Sequence, residues 1–246
     1  MTLRPPHHPE QFRVKVGRYG DRWYIDTLPA DGTWEPMTDP VPSVTTVKNA
    51  WPKGALPKWY AGQAAKCAVA EHDTWKNMEH QAAVDYIAAA PNRNRDRAAG
   101  RGGAIHAIIE GRAEGHTAPM FVESDVEPYL EAIDALLADL GAVEPVAVET
   151  VAIKRGELGY GGTLDAIWHV PSLGGTWLFD WKSRKPGAHT NAYEEEAAQL
   201  VAYACADYLI ADVDGAAARV PVPHLDGLAI VAIAPDGYRI HPVKEG

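Results

Sequence analysis

The sequence predicts a mixed α/β (α+β) domain, with a central β-sheet of mixed strand direction flanked by helices and preceded by a β-hairpin arm. Three observations predict it. Residues 56–90 are Ala-rich with helical spacing and two further helical runs follow by residue 140, residues 146–183 switch to three β-rich runs joined by turns, and a last Ala-rich run leads into two closing strands.

The elements follow in order. Residues 12–16 and 22–25 alternate around a Gly-containing turn in a stretch rich in Pro, Gly and Asp, which predicts a hairpin arm over 1–42. Ser43 precedes a short helical run, and residues 56–90 predict two helices joined near 71–75. Pro91-Asn92-Arg93-Asn94 reads as a breaker. Gly100-Arg101-Gly102-Gly103 reads as a turn opening a helix over 104–110, closed by Gly111 or Gly115. Another helix spans about 126–140 and stops at Gly141. Runs 146–154, 162–170 and 176–183 predict an antiparallel meander. Asn191 is a candidate cap, with Glu194 as capping-box acid, for a helix reaching about residue 210. Strands over 227–234 and 238–243 flank the turn Pro235-Asp236-Gly237.

The 246 residues, 46% hydrophobic and 23% charged, suffice for one sizeable core. No apolar run approaches a membrane span and the N-terminus lacks the apolar core of a signal peptide, which predicts a soluble, cytoplasmic protein. Cys67 and Cys205 lie in Ala-rich helical contexts without CxxC spacing and read as buried thiols. The net charge of −10 argues against coating nucleic acid by electrostatics alone. It leaves room for a nucleic-acid enzyme whose carboxylates are offset by divalent cations. Basic residues cluster locally at Arg93, Arg95, Arg97 and Arg101, and at Lys182, Arg184 and Lys185.

The most informative stretch is Trp177-Leu178-Phe179-Asp180-Trp181-Lys182. On a strand, Trp177, Phe179 and Trp181 share one face while Asp180 and Lys182 share the other. Two opposite charges on an otherwise apolar strand need compensation for lost hydration, and this marks a site. Asp165 closes the run Gly161-Gly162-Thr163-Leu164-Asp165, His106 lies on the helix after the Gly-rich stretch, and Gln199 and Tyr203 sit one helical turn apart. Asp165 and Asp180 are hard oxygen ligands suited to Mg²⁺ or Mn²⁺, and an imidazole from His106 shifts preference toward Mn²⁺. Glu110, at i+4 from His106, reads as a solvated helix face, and Glu194-Glu195-Glu196 as complementing the positive end of a helix.

His106, Gly-x-x-Asp165, the Asp180-x-Lys182 strand and Gln199-x-x-x-Tyr203 resemble, in order and type, the RecB-like branch of the PD-(D/E)XK nuclease superfamily, which includes CRISPR-associated and phage exonucleases. The resemblance spans residues 100–210, with weaker likeness at Pro42-Ser43-Val44-Thr45-Thr46 and in the closing strands. It implies a restriction-endonuclease-like core, residues 43–246 forming a single nuclease domain behind the arm. It further implies one or two Mg²⁺ or Mn²⁺ ions held by His106, Asp165, Asp180 and the Trp181 carbonyl, with Lys182 orienting or deprotonating the attacking water.

Gln199 and Tyr203 would contact the substrate or the catalytic elements. Arg101, with the amides of Gly102 and Gly103, is a candidate phosphate contact, against a turn needing glycine only for conformation. Glu149 resembles an acid that supports a ligand ahead of the Gly-x-x-Asp strand. The activity implied is exonucleolytic hydrolysis of linear DNA to 5′-phosphate and 3′-hydroxyl products during recombination or repair, with a single-strand annealing protein as a candidate partner. Two cysteines cannot reproduce the four-cysteine iron–sulfur site of some relatives, and no GxxxxGK[ST] loop is present, so neither a cluster nor ATP is expected. The alternatives are an endonuclease or flap-type enzyme, a non-catalytic DNA-binding or assembly module, and a carboxylate glycosidase using Asp165 and Asp180, which would not require Lys182.

Overall fold

The computed structural model describes residues 2–16, 21–49, 54–116 and 122–244. Two compact units emerge, Met1–Ala50 with Ile105–Gly246, and Trp51–Ala104. The division therefore does not follow residue 42: the expected arm belongs to the larger unit. Among the described residues no helix is long and apolar enough to cross a membrane.

The larger unit begins with the hairpin β1 (Arg13–Val16) and β2 (Asp21–Tyr24), joined by β3 (Val41–Pro42) in a three-stranded antiparallel sheet. The hairpin's expected turn, residues 17–20, lies outside the described residues. Phe12 and Tyr24 are fully buried against Val151, Ile153, Tyr208 and Ile210, so the hairpin is part of a core. Ser43 caps the short helix α1 (Val44–Asn49), its Oγ accepting from the Thr46 amide at 2.9 Å.

The smaller unit contains α2 (Leu56–Ala70), α3 (His72–Trp75), α4 (His80–Ala88) and the first part of α5 (Ala90–Ala113). Asn94 donates to Gln63 at 3.0 Å, tying α5 to α2. The expected break at Pro91 and turn at Gly100–Gly103 are both absent, because α5 runs through them. Pro91 falls in the first helical turn, where a missing N–H costs nothing. Three glycines each weaken a helix by about 1 kcal/mol relative to alanine, and burial of Ile105, Ile108 and Ile109 offsets this where the helix enters the larger unit. Cys67 is buried in α2, whereas Cys205 is exposed, contrary to the expectation of two buried thiols.

Beyond α6 (Leu130–Leu140) come β4 (Glu144–Val148), β5 (Val151–Lys154), β6 (Tyr160–Thr163), β7 (Ala166–Val170) and β8 (Gly175–Ser183). Each of the first two runs expected as one strand is two strands in different sheets. β4 and β7 join β8 in a five-stranded sheet ordered β12-β11-β8-β7-β4, completed by β11 (Gly227–Ala234) and β12 (Gly237–Pro242). β5 and β6 join β9 (Tyr208–Val213) and β10 (Ala216–Val220) in a four-stranded sheet ordered β10-β9-β5-β6.

The parallel pairing of β8 with β11 makes the five-stranded sheet mixed, and the fold is α+β as expected. The helix α7 (Glu194–Ala204) contacts β8 and β11, and α6 contacts β11 and β12. α7 starts later and ends sooner than expected. Tyr193 precedes it, Glu196 rather than Glu194 accepts from the Tyr193 amide at 3.3 Å, and β9 takes residues assigned to its C-terminal end.

Candidate functional site

Two strand breaks create the centre of the site. The backbone changes sheets at Glu149–Thr150 and again at Leu164–Asp165, and the two breaks are bonded to each other. Glu149 donates its N–H to the Asp165 carbonyl at 2.9 Å, and Leu164 to the Thr150 carbonyl at 3.0 Å. Glu149 adopts φ 49°, a left-handed conformation uncommon outside glycine, which turns the chain out of β4. Two acids on separate strands thereby meet at one corner. Gly161 and Gly162 in β6 permit this crowded crossing. A Cβ at Gly161 would lie 2.5 Å from Tyr24 Cβ, and one at Gly162 would lie 2.4 Å from Tyr203 Cε1.

His106, on α5, reaches the same corner. Its Nε2 lies 2.9 Å from the Trp181 carbonyl, and because a carbonyl only accepts, that nitrogen carries the proton. Nδ1 then faces Asp165 Oδ2 at 3.7 Å. Nδ1 and Asp165 Oδ2 thus face each other as two lone-pair donors available to one shared cation. Asp165 is oriented from the other side by the Trp181 N–H, which donates to Oδ2 at 2.8 Å. One donor atom from each of His106, Glu149 and Asp165 falls within 4.8 Å of the others, a grouping of nitrogen and oxygen donors that suits Mg²⁺ or Mn²⁺. The compact three-residue group uses Glu149 where the resemblance implied Asp180.

Asp180 is buried and makes a short ion pair with Lys182. Gln199 Nε2 donates to Asp180 Oδ1 and to the Tyr203 hydroxyl, both at 3.3 Å. The amide is held in this sense by Lys48, whose Nζ donates to Gln199 Oε1 at 3.0 Å, since an ammonium can face only the oxygen. Burial opposes the charge on Lys182, but the carboxylates of Asp180 and Asp165 outweigh it and lift its pKa above the ordinary lysine value. Burial, with Asp180, Tyr24 and Asp165 nearby, raises the Tyr203 pKa, so this phenol remains a donor. On the reverse face of β8, Phe179 and Trp181 stack at 5.2 Å with Trp168 against both, fixing the strand.

Glu110 is the residue that sequence reasoning dismissed. Its Oε1 is buried without a hydrogen-bond partner among the described residues, which a solvated helix face does not explain. Burial, then Glu149, Asp165 and Glu114, push its pKa up to about 8. Burial and Asp165 push Glu149 to about 7. The available signal was the i+4 spacing from His106, which places both on one face of α5. Glu196 likewise does more than complement a helix end, because both its oxygens accept from Arg184 Nη2 at 2.6 Å.

The larger unit thus brings together His106, Glu149, Asp165, Asp180, the Trp181 carbonyl, Lys182, Gln199 and Tyr203. Arg101 belongs to the smaller unit, in the interior of α5. The amides of Gly102 and Gly103 are therefore helical and do not form the N-terminal phosphate cradle expected of them. The chain matches no protein-family model, and no curated protein matches it. What fold and site define is a mixed α+β protein with a polar, histidine–carboxylate centre beside a buried lysine–aspartate pair.

Proposed function

We propose that this chain is a metal-dependent nuclease of the PD-(D/E)XK type, of the RecB-like branch, acting as an exonuclease on linear DNA. The observation that carries the reading is the spatial convergence of His106, Asp165, Asp180 and Lys182, residues scattered over 77 positions of sequence, with Gln199 and Tyr203 bonded to the same carboxylate network. The mixed sheet with its D-x-K strand at the centre, between β7 and β11, is compatible with a restriction-endonuclease-like core.

The donor set fits a divalent cation: its ligating atoms are oxygen and nitrogen, and they lie within 4.8 Å of one another. His106, Glu149 and Asp165 would hold Mg²⁺ or Mn²⁺, with Asp180 and the Trp181 carbonyl beside them. Such an ion, when bound, stabilises charge on phosphate oxygens and lowers the pKa of a water. The Trp181 N–H fixes the Asp165 rotamer, and Gln199 fixes that of Asp180. Lys182, paired with Asp180, would set its side chain beside the phosphate's non-bridging oxygens and the attacking water, to offset developing charge or orient that water. Tyr203 accepts from Gln199 and has its own proton to donate toward a bound strand.

The test uses end-labelled linear duplex, linear single strand and closed circular DNA, each with Mg²⁺, Mn²⁺ or EDTA. Loss of linear DNA only with metal, abolished in Asp180→Ala and Lys182→Ala, is expected. Undiminished degradation by either variant, in preparations free of contaminating nuclease, overturns the reading. Cleavage of closed circles assigns an endonuclease instead, and tight metal-dependent binding without cleavage assigns a non-catalytic module.

A further inference from the structure

A polar cleft of about 260 Å³ opens above the corner of the strand breaks. Glu149, Asp165 and Tyr203 line it, together with Arg13, Arg22 and Thr45. The arginines come from the N-terminal hairpin. In its register Arg13 lies opposite Tyr24 and Lys15 opposite Arg22, so Arg13, Arg22 and Tyr24 occupy the same face of the ribbon, and all three line the cleft. The hairpin is held there by the buried Tyr24 ring, which passes over Gly161, and by the bridge from Ser43 to Gly161.

Among the described residues neither guanidinium forms an ion pair with a carboxylate, although Arg13 lies close enough to Glu149 to lower that acid's pKa. Arg13 donates to the neutral Thr163 hydroxyl at 2.8 Å, and the same hydroxyl lies 3.1 Å from Tyr24 Oη. For Arg22, no described residue supplies a side-chain hydrogen bond or ion pair. Two cations with spare donors beside a carboxylate group, in a protein with a net charge of −10, present the donor chemistry that suits an anion.

We propose that Arg13 and Arg22 form a phosphate-binding subsite, which receives a phosphate group of a nucleic-acid strand and sets it against the His106–Glu149–Asp165 group. The identity of the strand rests on the nuclease reading; the anion chemistry rests on the cleft alone. Two sources share that chemistry, an internal phosphodiester and a terminal phosphomonoester.

The test measures binding by fluorescence anisotropy, using a labelled 12-nucleotide single strand with a 5′-phosphate, a 3′-phosphate or neither. Ca²⁺ is present to neutralise the carboxylates, salt is varied, and probe integrity is checked on gels. Arg13→Gln and Arg22→Gln are each expected to weaken binding about tenfold and to lower the slope of log K against log salt by about 0.7. Arg13→Lys should keep the slope, which separates charge from any loss of folding through Thr163. Arg239→Gln, the same charge change on the exposed edge strand β12, should leave affinity and slope unchanged.

Loss confined to end-phosphorylated probes identifies a monoester, and equal loss on all three probes identifies a diester. Wild-type affinity and slope in both glutamine variants overturn the proposal, and so does an equal effect of Arg239→Gln. A parallel cleavage assay with Mn²⁺ keeps the two ideas apart. Cleavage with undisturbed binding in the variants sinks the subsite alone, whereas lost binding without any wild-type cleavage sinks the nuclease reading alone.

Discussion

The Glu149 N–H donates to the Asp165 carbonyl at 2.9 Å, joining two strand breaks at the level where their side chains face His106. Crowding of carboxylates at this corner has a consequence for stability. Burial and Asp165 hold the Glu149 pKa at about 7, and burial with Glu149, Asp165 and Glu114 holds Glu110 at about 8. Both lie above the usual carboxylate value, so the folded state binds more protons than the unfolded one between these limits. Their contribution is fully present below about pH 4.5 and is lost as pH rises through 7 to 8. Thermal melts in EDTA should therefore show Tm falling between these pH values, and Glu149→Gln and Glu110→Gln should each flatten the fall. Equal pH dependence in wild type and both variants would contradict the crowding.

The Asp180–Lys182 pair separates stability from chemistry. Lys182→Met leaves a buried carboxylate uncompensated and should cost about 3–5 kcal/mol. Adding Asp180→Asn should restore much of that loss in urea unfolding while activity stays absent. Recovery of the proposed nuclease activity in the double variant would show that the pair is structural only.

At Gly162, a methyl group would meet the Tyr203 ring at 2.4 Å. Gly162→Ala should therefore displace Tyr203, cost about 1–3 kcal/mol through overpacking, and reduce turnover although no polar group is removed. Tyr203→Phe, which removes only the hydroxyl, should stay near wild-type stability with weakened activity. If Gly162→Ala is as active as wild type, Tyr203 does not need its observed position.

The hairpin segment is locked by a second buried pair. Asp26 is fully buried and receives the Arg219 guanidinium at 2.5 Å and the Tyr208 hydroxyl at 2.7 Å. Arg219→Met should destabilise the protein by about 3–5 kcal/mol and expose residues 27–40 to limited proteolysis, whereas Asp26→Asn with Arg219→Met should be milder. Identical proteolysis rates in wild type and Arg219→Met would refute this role.

The D-x-K strand was legible because strand alternation alone puts Asp180 and Lys182 together, and both β8 and the closing hairpin fall where their patterns place them. The strand breaks were not legible. Runs 146–154 and 162–170 are β-rich throughout, and the polar residues at their centres, Glu149-Thr150 and Asp165, are compatible with a continuous strand, so nothing in hydrophobicity or spacing signals that Glu149 takes a left-handed conformation. The meander expectation consequently merged four strands into two. Gly100, Gly102 and Gly103 suggested a turn by local propensity, but tertiary burial of the following isoleucines overrides it and extends α5 through them. The same locality hid β9, whose Ala-containing run continues the helical composition of α7 and is strand only because β5 and β10 pair with it. Lys48 and the hairpin arginines were invisible for a different reason, since their relation to the site exists only through long-range contacts.

The most direct test of the account is Mn²⁺ binding followed by calorimetry or electron paramagnetic resonance at pH 8, in wild type, His106→Ala, Glu149→Gln and Asp165→Asn. The wild type should bind Mn²⁺ saturably, and each variant at least about tenfold more weakly. A wild type that binds no Mn²⁺, or variants that bind it as the wild type does, would contradict a metal centre at this corner.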